Sequence, residues 1–191
     1  MHSTRSVVPP AIILSVVLVS ACDRGGPSAP SATPSAGPAP APVSQVTSVW
    51  NVTTRLTDAR GEECARLAAQ SQLAAPKSYV LVVTQTGASA VVTLKSASGD
   101  YNCTFNGGTA DSTGFVFGAV GTYTCEPGRE AVIKGFRCAN GTQLDLFAFG
   151  QNLSGRISGS EISGTWDVDW VDGYFGPTPL ETKTEFTGTR Q

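Results

Sequence analysis

Apolar and polar residues alternate along most of the chain. In residues 49–56 (VWNVTTRL), Trp50, Val52 and Leu56 share one face, and Asn51, Thr53 and Arg55 share the other. Ala90, Val92 and Leu94 alternate with Val91, Thr93 and Lys95, and Tyr101, Cys103 and Phe105 alternate with Asn102 and Thr104. Late in the chain Trp166, Val168 and Trp170 alternate with Asp167, Asp169 and Val171. A period of two marks half-buried strands. Turn signals separate these runs at Gly87, Ser98-Gly99-Asp100, Asn106-Gly107-Gly108, Asn140-Gly141, Gly159-Ser160 and Asp172-Gly173. Asn-Gly and Asp-Gly fit tight hairpins, whose central residues need positive φ.

One stretch has a different period. Residues 62–73 (EECARLAAQSQL) are rich in Ala and Leu, with Cys64, Leu67, Ala68 and Gln72 on one helical stripe and Pro76 beyond the end. This predicts a single short helix in the connection between the first two strands. Eight to ten short antiparallel strands at regular spacing then predict an all-β domain. Consecutive hairpins favour an antiparallel up-and-down barrel of about eight strands, because closure removes the sheet edges.

The N-terminal segment reads otherwise. Arg5 precedes an apolar run over residues 7–19 that is too short to span a bilayer, which takes about 20 apolar residues. A positive start, a short apolar run and small residues predict a secretory signal over residues 1–21. Val19-Ser20-Ala21-Cys22 resembles the bacterial lipobox, in which the cysteine thiol takes up a diacylglycerol. That resemblance implies a multiply acylated Cys22, and several chains give a stable anchor where one gives a marginal one. Asp23 resembles the residue that retains lipoproteins in the inner membrane of enteric bacteria. Residues 22–44 then form a Pro-, Ala- and Ser-rich linker without a large apolar side chain ahead of the last few positions, and residues 45–191 form the folded domain.

The whole chain of 191 residues carries 13 Lys and Arg against 15 Asp and Glu, with no basic run. Nucleic acid is therefore not an expected partner. The only histidine is His2, and the signal removes it. Ser-His-Asp and Cys-His catalysis and histidine-bearing metal sites are thereby excluded from the mature chain. No cofactor motif is present, and the expectation is a protein that is not an enzyme. Asp167, Asp169 and Asp172 (DVDWVDG) miss the spacing of a calcium loop by one residue and lack its terminal Glu. They read as outward-facing charges, and no metal site is assigned.

Four cysteines remain in the domain: Cys64, Cys103, Cys125 and Cys138. An even number in an exported chain, with no C-x-x-C pair, predicts two disulfides. Of three connectivities, Cys103–Cys125 with Cys64–Cys138 is favoured. The first pair lies on the apolar phases of two strands, and the second would staple the helix to the barrel.

The strand opening with Trp50, the helix-bearing first connection and the late aromatic strand resemble a lipocalin-type or avidin-type meander. Gly155 to Trp166 and Phe186 to Arg190 resemble the closing hairpins of such barrels. The resemblance implies a fold and no ligand: Ser48-Val49-Trp50 stands where lipocalins have Gly-x-Trp, and no biotin-site set matches. The chain also resembles other small exported bacterial lipoproteins. Tyr123-Thr-Cys125-Glu-Pro-Gly128 is locally similar to disulfide-bonded lipoprotein barrels that block lysozyme.

These readings converge on a lipid-anchored module of the bacterial cell envelope, with its domain outside the cytoplasm. Its expected partners are the membrane, through the lipid, and either a small apolar ligand or an envelope protein. A hydrolase inhibitor and a structural envelope protein are the alternatives. Trp50, Trp166 and Trp170 share phase with apolar neighbours and are the candidate ligand-binding residues, expected together on the inner face. Replacing Cys22 with Ser should move the protein from the membrane fraction to the soluble fraction of fractionated cells. Retention of the variant in the membrane would show that another element anchors it.

Overall fold

The computed structural model describes residues 44–118, 122–173 and 179–191. The expected signal, Cys22 and nearly all of the linker lie outside the described residues. Strand β1 (Gln45–Gly61) leads into helix α1 (Glu63–Leu73), followed by β2 (Lys77–Thr86), β3 (Ser89–Ser96) and β4 (Asn102–Asp111). Then come β5 (Gly114–Phe117), β6 (Thr122–Cys125), β7 (Val132–Arg137), β8 (Gln143–Ser158), β9 (Glu161–Asp172) and β10 (Leu180–Arg190).

Eight of these strands close a barrel. Antiparallel pairing runs from β1 through β2, β3, β4, β5, β8 and β9 to β10, which pairs back onto β1. Every neighbour on this circuit is also a sequence neighbour, apart from β5–β8 and the closing pair. The alternating runs supply the core: Trp50, Val52, Leu81, Val92, Leu94, Phe105, Leu153 and Phe186 are all buried in it. The barrel is therefore the all-β, up-and-down closed form, with α1 in the first connection.

Two short strands depart from a plain meander. β5 and β6 run one after the other along β4, β5 opposite residues 109–111 and β6 opposite residues 103–106. Likewise β8 pairs with β5 through residues 153–156 and with β7 through residues 143–147. At the end of the barrel that bears α1, β5 is thus replaced by β6 and β7. The chain between them closes the wall: Arg129 O accepts from Asn102 N at 3.0 Å, and Ala131 O accepts from Ala148 N at 3.1 Å. An extra strand in the circumference widens a barrel, so the α1 end has more interior to fill than the far end, where β8 turns into β9.

Bulges make the change of partners. Asn106-Gly107-Gly108, expected as a turn, lies within β4, where the register against β3 shifts between Ala90 and Val92. Gly107 takes φ +77°, the left-handed region that favours glycine. The turn itself falls four residues later, where Asp111 Oδ1 accepts from Thr113 N at 2.7 Å and Gly114 N at 3.1 Å. A second bulge, between Ala148 and Gly150 of β8, leaves Phe149 as the extra residue. Its two free carbonyls are taken by Tyr123: Ala148 O and Phe149 O both accept from the phenol at 3.1 Å.

Helix α1 turns Cys64, Ala68 and Gln72 of the expected stripe toward the barrel, but not Leu67. Ala65, Ala68 and Ala69 face inward, and Leu67 is half exposed. The small alanines let the helix backbone approach β1, β7 and β10 closely, where a leucine would hold it off. Cys64 bonds Cys138 beyond the end of β7, with Cα atoms 5.6 Å apart. Gln72 adds a second tie: its Nε2 donates to Lys134 O at 3.0 Å, and its Oε1 accepts from Lys134 N at 3.4 Å. Cys103 bonds Cys125, its direct register partner across β4 and β6.

At the far end, bare backbone makes room for rings. A Cβ added to Gly164 would collide with the Phe186 ring and with Ser154 O, and one added to Gly155 would meet the Phe115 ring. Gly155 and Gly164 are register partners, so two phenylalanines lie over one pair of glycines. Gly164→Ala should lower the stability of the domain by about 1–3 kcal/mol, the usual cost of overpacking a filled core. Urea unfolding measures it, and an unchanged midpoint would mean that this end is loosely packed.

Candidate functional site

The interior at the α1 end is incompletely filled. A cavity of about 110 Å³ lies there, walled by Thr54, Tyr79, Tyr101, Trp166, Trp170 and Thr182, with Leu73 and Val168 beside them. At its mouth Asp100 and Glu130 are exposed, and Lys77 is half-buried. The volume has the scale of one small ring; an engineered cavity of about 150 Å³ accepts benzene.

Four elements position the walls. Thr54 is inward on β1, Tyr79 inward on β2, Trp166 and Trp170 inward on β9, and Thr182 inward on β10. Tyr101 follows the β3–β4 turn, which serine side chains hold. Ser96 Oγ accepts from Tyr101 N at 2.9 Å, and Ser96 and Ser98 both donate to Asp100 Oδ1 at 2.6 Å. Those two bonds hold the Asp100 carboxyl below its usual range, so it is charged at neutral pH.

Tyr79, Tyr101 and Trp166 form one aromatic cluster, with centroids 5.1 to 6.0 Å apart and edge or tilted geometry. Behind it stands Gln151, only 3 % exposed. Gln151 Oε1 accepts from Tyr101 Oη at 2.8 Å and from Trp166 Nε1 at 3.0 Å. Trp170 Nε1 donates to Thr182 Oγ1 at 2.8 Å. Burial raises the phenols of Tyr79 and Tyr101 well above the ordinary tyrosine value, and Asp100 pushes Tyr79 up further. Both remain neutral hydrogen-bonding groups at physiological pH.

The three tryptophans are all buried inside the barrel, but they do not form one group. Trp166 and Trp170 wall the cavity. Trp50 sits in register with Arg190, near the end of β10, whereas Trp166 is in register with Thr184 and Trp170 with Leu180. Trp50 belongs to the filled part of the interior: its Nε1 donates to Ser48 Oγ at 2.9 Å, and the Arg190 guanidinium lies 5.7 Å from its ring centroid. The barrel does close β1 onto the late strands, but through β10, which sets Trp50 apart from the other two along the strands.

Gln151, Tyr79, Thr54 and Thr182 went unrecognised in the sequence. The polar residues sit on the apolar phase, where alternation gives no warning of them. Gln151 is inward only because the Phe149 bulge reverses the phase of β8: before it Leu144 and Leu146 are buried, and after it Gln151 and Leu153 are. Phe149, the extra residue, is 67 % exposed.

Asp167 and Asp169 lie on the outer face, opposite in phase to Trp166, Val168 and Trp170. Asp169 is the register partner of Glu181, and like charges directly opposite destabilise a ladder. Burial raises the Asp169 carboxyl, and Glu181 and then Asp167 add to it. No family model, no curated protein and no solved structure matches this chain.

A folded-state value raised above the unfolded one means that ionised Asp169 disfavours the fold. That penalty is complete at neutral pH and absent once both states are protonated, below about pH 4. Asp169→Asn should therefore raise the melting temperature at pH 7, and the gain should fade as the pH drops through the carboxylate range. A gain that persists unchanged at pH 3 would have another cause.

Proposed function

We propose that this protein is a lipid-anchored module of the bacterial cell envelope that binds a small molecule in the α1 end of its barrel. The observation that carries the reading is the cavity itself: four aromatic side chains and three threonines line a space that the core leaves unfilled, at the α1 end of an otherwise packed interior. Ligand sites combine apolar and aromatic walls with a few placed polar groups, and they favour the mouths of β-barrels.

The envelope location rests on Val19-Ser20-Ala21-Cys22 behind the apolar run and on two disulfides, which persist in oxidising compartments. A lipid on Cys22 and a Pro-rich linker would hold the barrel at a distance from the bilayer. The function is binding rather than catalysis: the walls offer hydroxyls, indoles and an amide behind them, and their phenols are too weakly acidic to exchange protons near neutral pH. An envelope protein or a hydrolase would instead meet the outside of the barrel. The aromatic-walled cavity favours the ligand.

The protein purified from its native membrane should release, on denaturation, a small molecule close to stoichiometric with the chain. Mass spectrometry of the extract checks this. Trp170→Leu should reduce the yield at least tenfold, because it removes one wall. An extract with no such molecule from the unaltered protein would overturn the reading.

A further inference from the structure

Hydrogen-bond accounting inside the cavity narrows the ligand. An indole N–H can only donate, so the amide oxygen of Gln151 must face Trp166, and it also takes the Tyr101 proton. Gln151 Nε2 then faces elsewhere, and it is a buried donor without a partner among the described residues. Thr182 Oγ1 is occupied by Trp170 Nε1, so the Thr182 proton must go to another acceptor. Tyr79 and Thr184, which also line the cavity, make no side-chain hydrogen bond to the described residues. Thr54, by contrast, already donates to Lys77 O at 3.2 Å. The hydroxyl protons of Tyr79, Thr182 and Thr184 therefore go to no acceptor among the described residues.

Charge narrows it further. Lys77 is the one cation among the lining residues, and its charge already acts on Asp100. With Asp100 and Glu130 the lining carries two carboxylates against that one ammonium, so an anion would meet net negative charge on its way into the barrel. A hydrocarbon would fill the space but leave the donors unpaired, and that is costly in a buried site. A carbonyl oxygen offers two lone pairs, brings no proton of its own and carries no net charge.

Resting on the binding function above, we propose that the cavity selects an uncharged molecule of about one ring that presents a carbonyl oxygen to Tyr79, Thr182 and Thr184. The ring lies against Trp166 and Trp170, and the oxygen faces the threonine and tyrosine side.

Four probes of one size test it: cyclohexanone, cyclohexanol, cyclohexane and cyclohexanecarboxylate, titrated into the full chain carrying Cys22→Ser so that no micelle competes. Cyclohexanone should bind tightest by calorimetry, then the alcohol, with the hydrocarbon and the carboxylate weakest. Tyr79→Phe and Thr184→Val keep shape and orphan no protein group. Each should weaken cyclohexanone roughly 3- to 10-fold, the value of one hydrogen bond, and leave cyclohexane unchanged. Equal binding of the hydrocarbon or the carboxylate would overturn the proposal, as would indifference of cyclohexanone to both variants. If no probe binds while the native-membrane extract yields a molecule, the carbonyl class falls and the binding function stands; if the extract is also empty, both fall.

Discussion

β8 has to serve two different neighbours, and one extra residue lets it do so. Its first half pairs with β7 and its second half with β5. Between them Phe149 is squeezed out of the ladder, and the side-chain phase reverses. A bulge of this kind leaves backbone groups unpaired and re-aims the side chains that follow. Here the free carbonyls are answered by Tyr123 of β6, across the gap where β5 ends. Without the bulge, the phase set by Leu144 and Leu146 would continue, and Phe149 and Gln151 would both point to solvent. Tyr101 and Trp166 would then lose their shared acceptor.

The two ends of the barrel follow different rules because of that change. At the far end eight strands enclose a core of rings and aliphatic chains, and the glycine pair Gly155–Gly164 is bare so that Phe115 and Phe186 fit. At the α1 end the wall has an extra strand and the interior turns polar. Buried polar groups are costly unless paired, and most of those here are paired with one another. The Gln151 amide joins two strands through Tyr101 and Trp166, and Thr182 meets Trp170. Such a network fixes the rings in place, and it leaves a few donors for something else. Helix α1 completes this end, held by the Cys64–Cys138 bridge and by Gln72 on the β7 backbone.

Much of this was legible in the chain. Period-two runs around Trp50, Val92, Phe105 and Trp166 gave the strands and the barrel, and the even cysteine count with strand phase gave both disulfides. The helix was legible as an element and in part by its inward face, through Cys64, Ala68 and Gln72; Leu67 was misplaced and Ala65 and Ala69 missed, because alanine packing depends on how closely a backbone can approach. The Asn106-Gly107-Gly108 bulge resembled a turn, since both need a glycine at positive φ. The site was the least legible part. Trp166 and Trp170 stood out, but Gln151, Thr54 and Thr182 are polar residues on an apolar phase. Their inward direction depends on a register shift and on pairings distant in sequence. Trp50 was grouped with the other tryptophans because closure brings β1 beside the late strands; its position along the strand, set by register with β10, separates it.

The three indoles provide the most direct test of the account, since each donates to a different partner: Trp50 to Ser48, Trp166 to Gln151 and Trp170 to Thr182. In a nitrogen–proton correlation spectrum they give three side-chain signals, assignable by single Trp→Phe variants. Titration with cyclohexanone should shift the Trp166 and Trp170 signals together along one binding curve and leave the Trp50 signal in place. A shift of Trp50 alone, or no shift of any indole at saturating ligand, would contradict a binding cavity at the α1 end of the barrel.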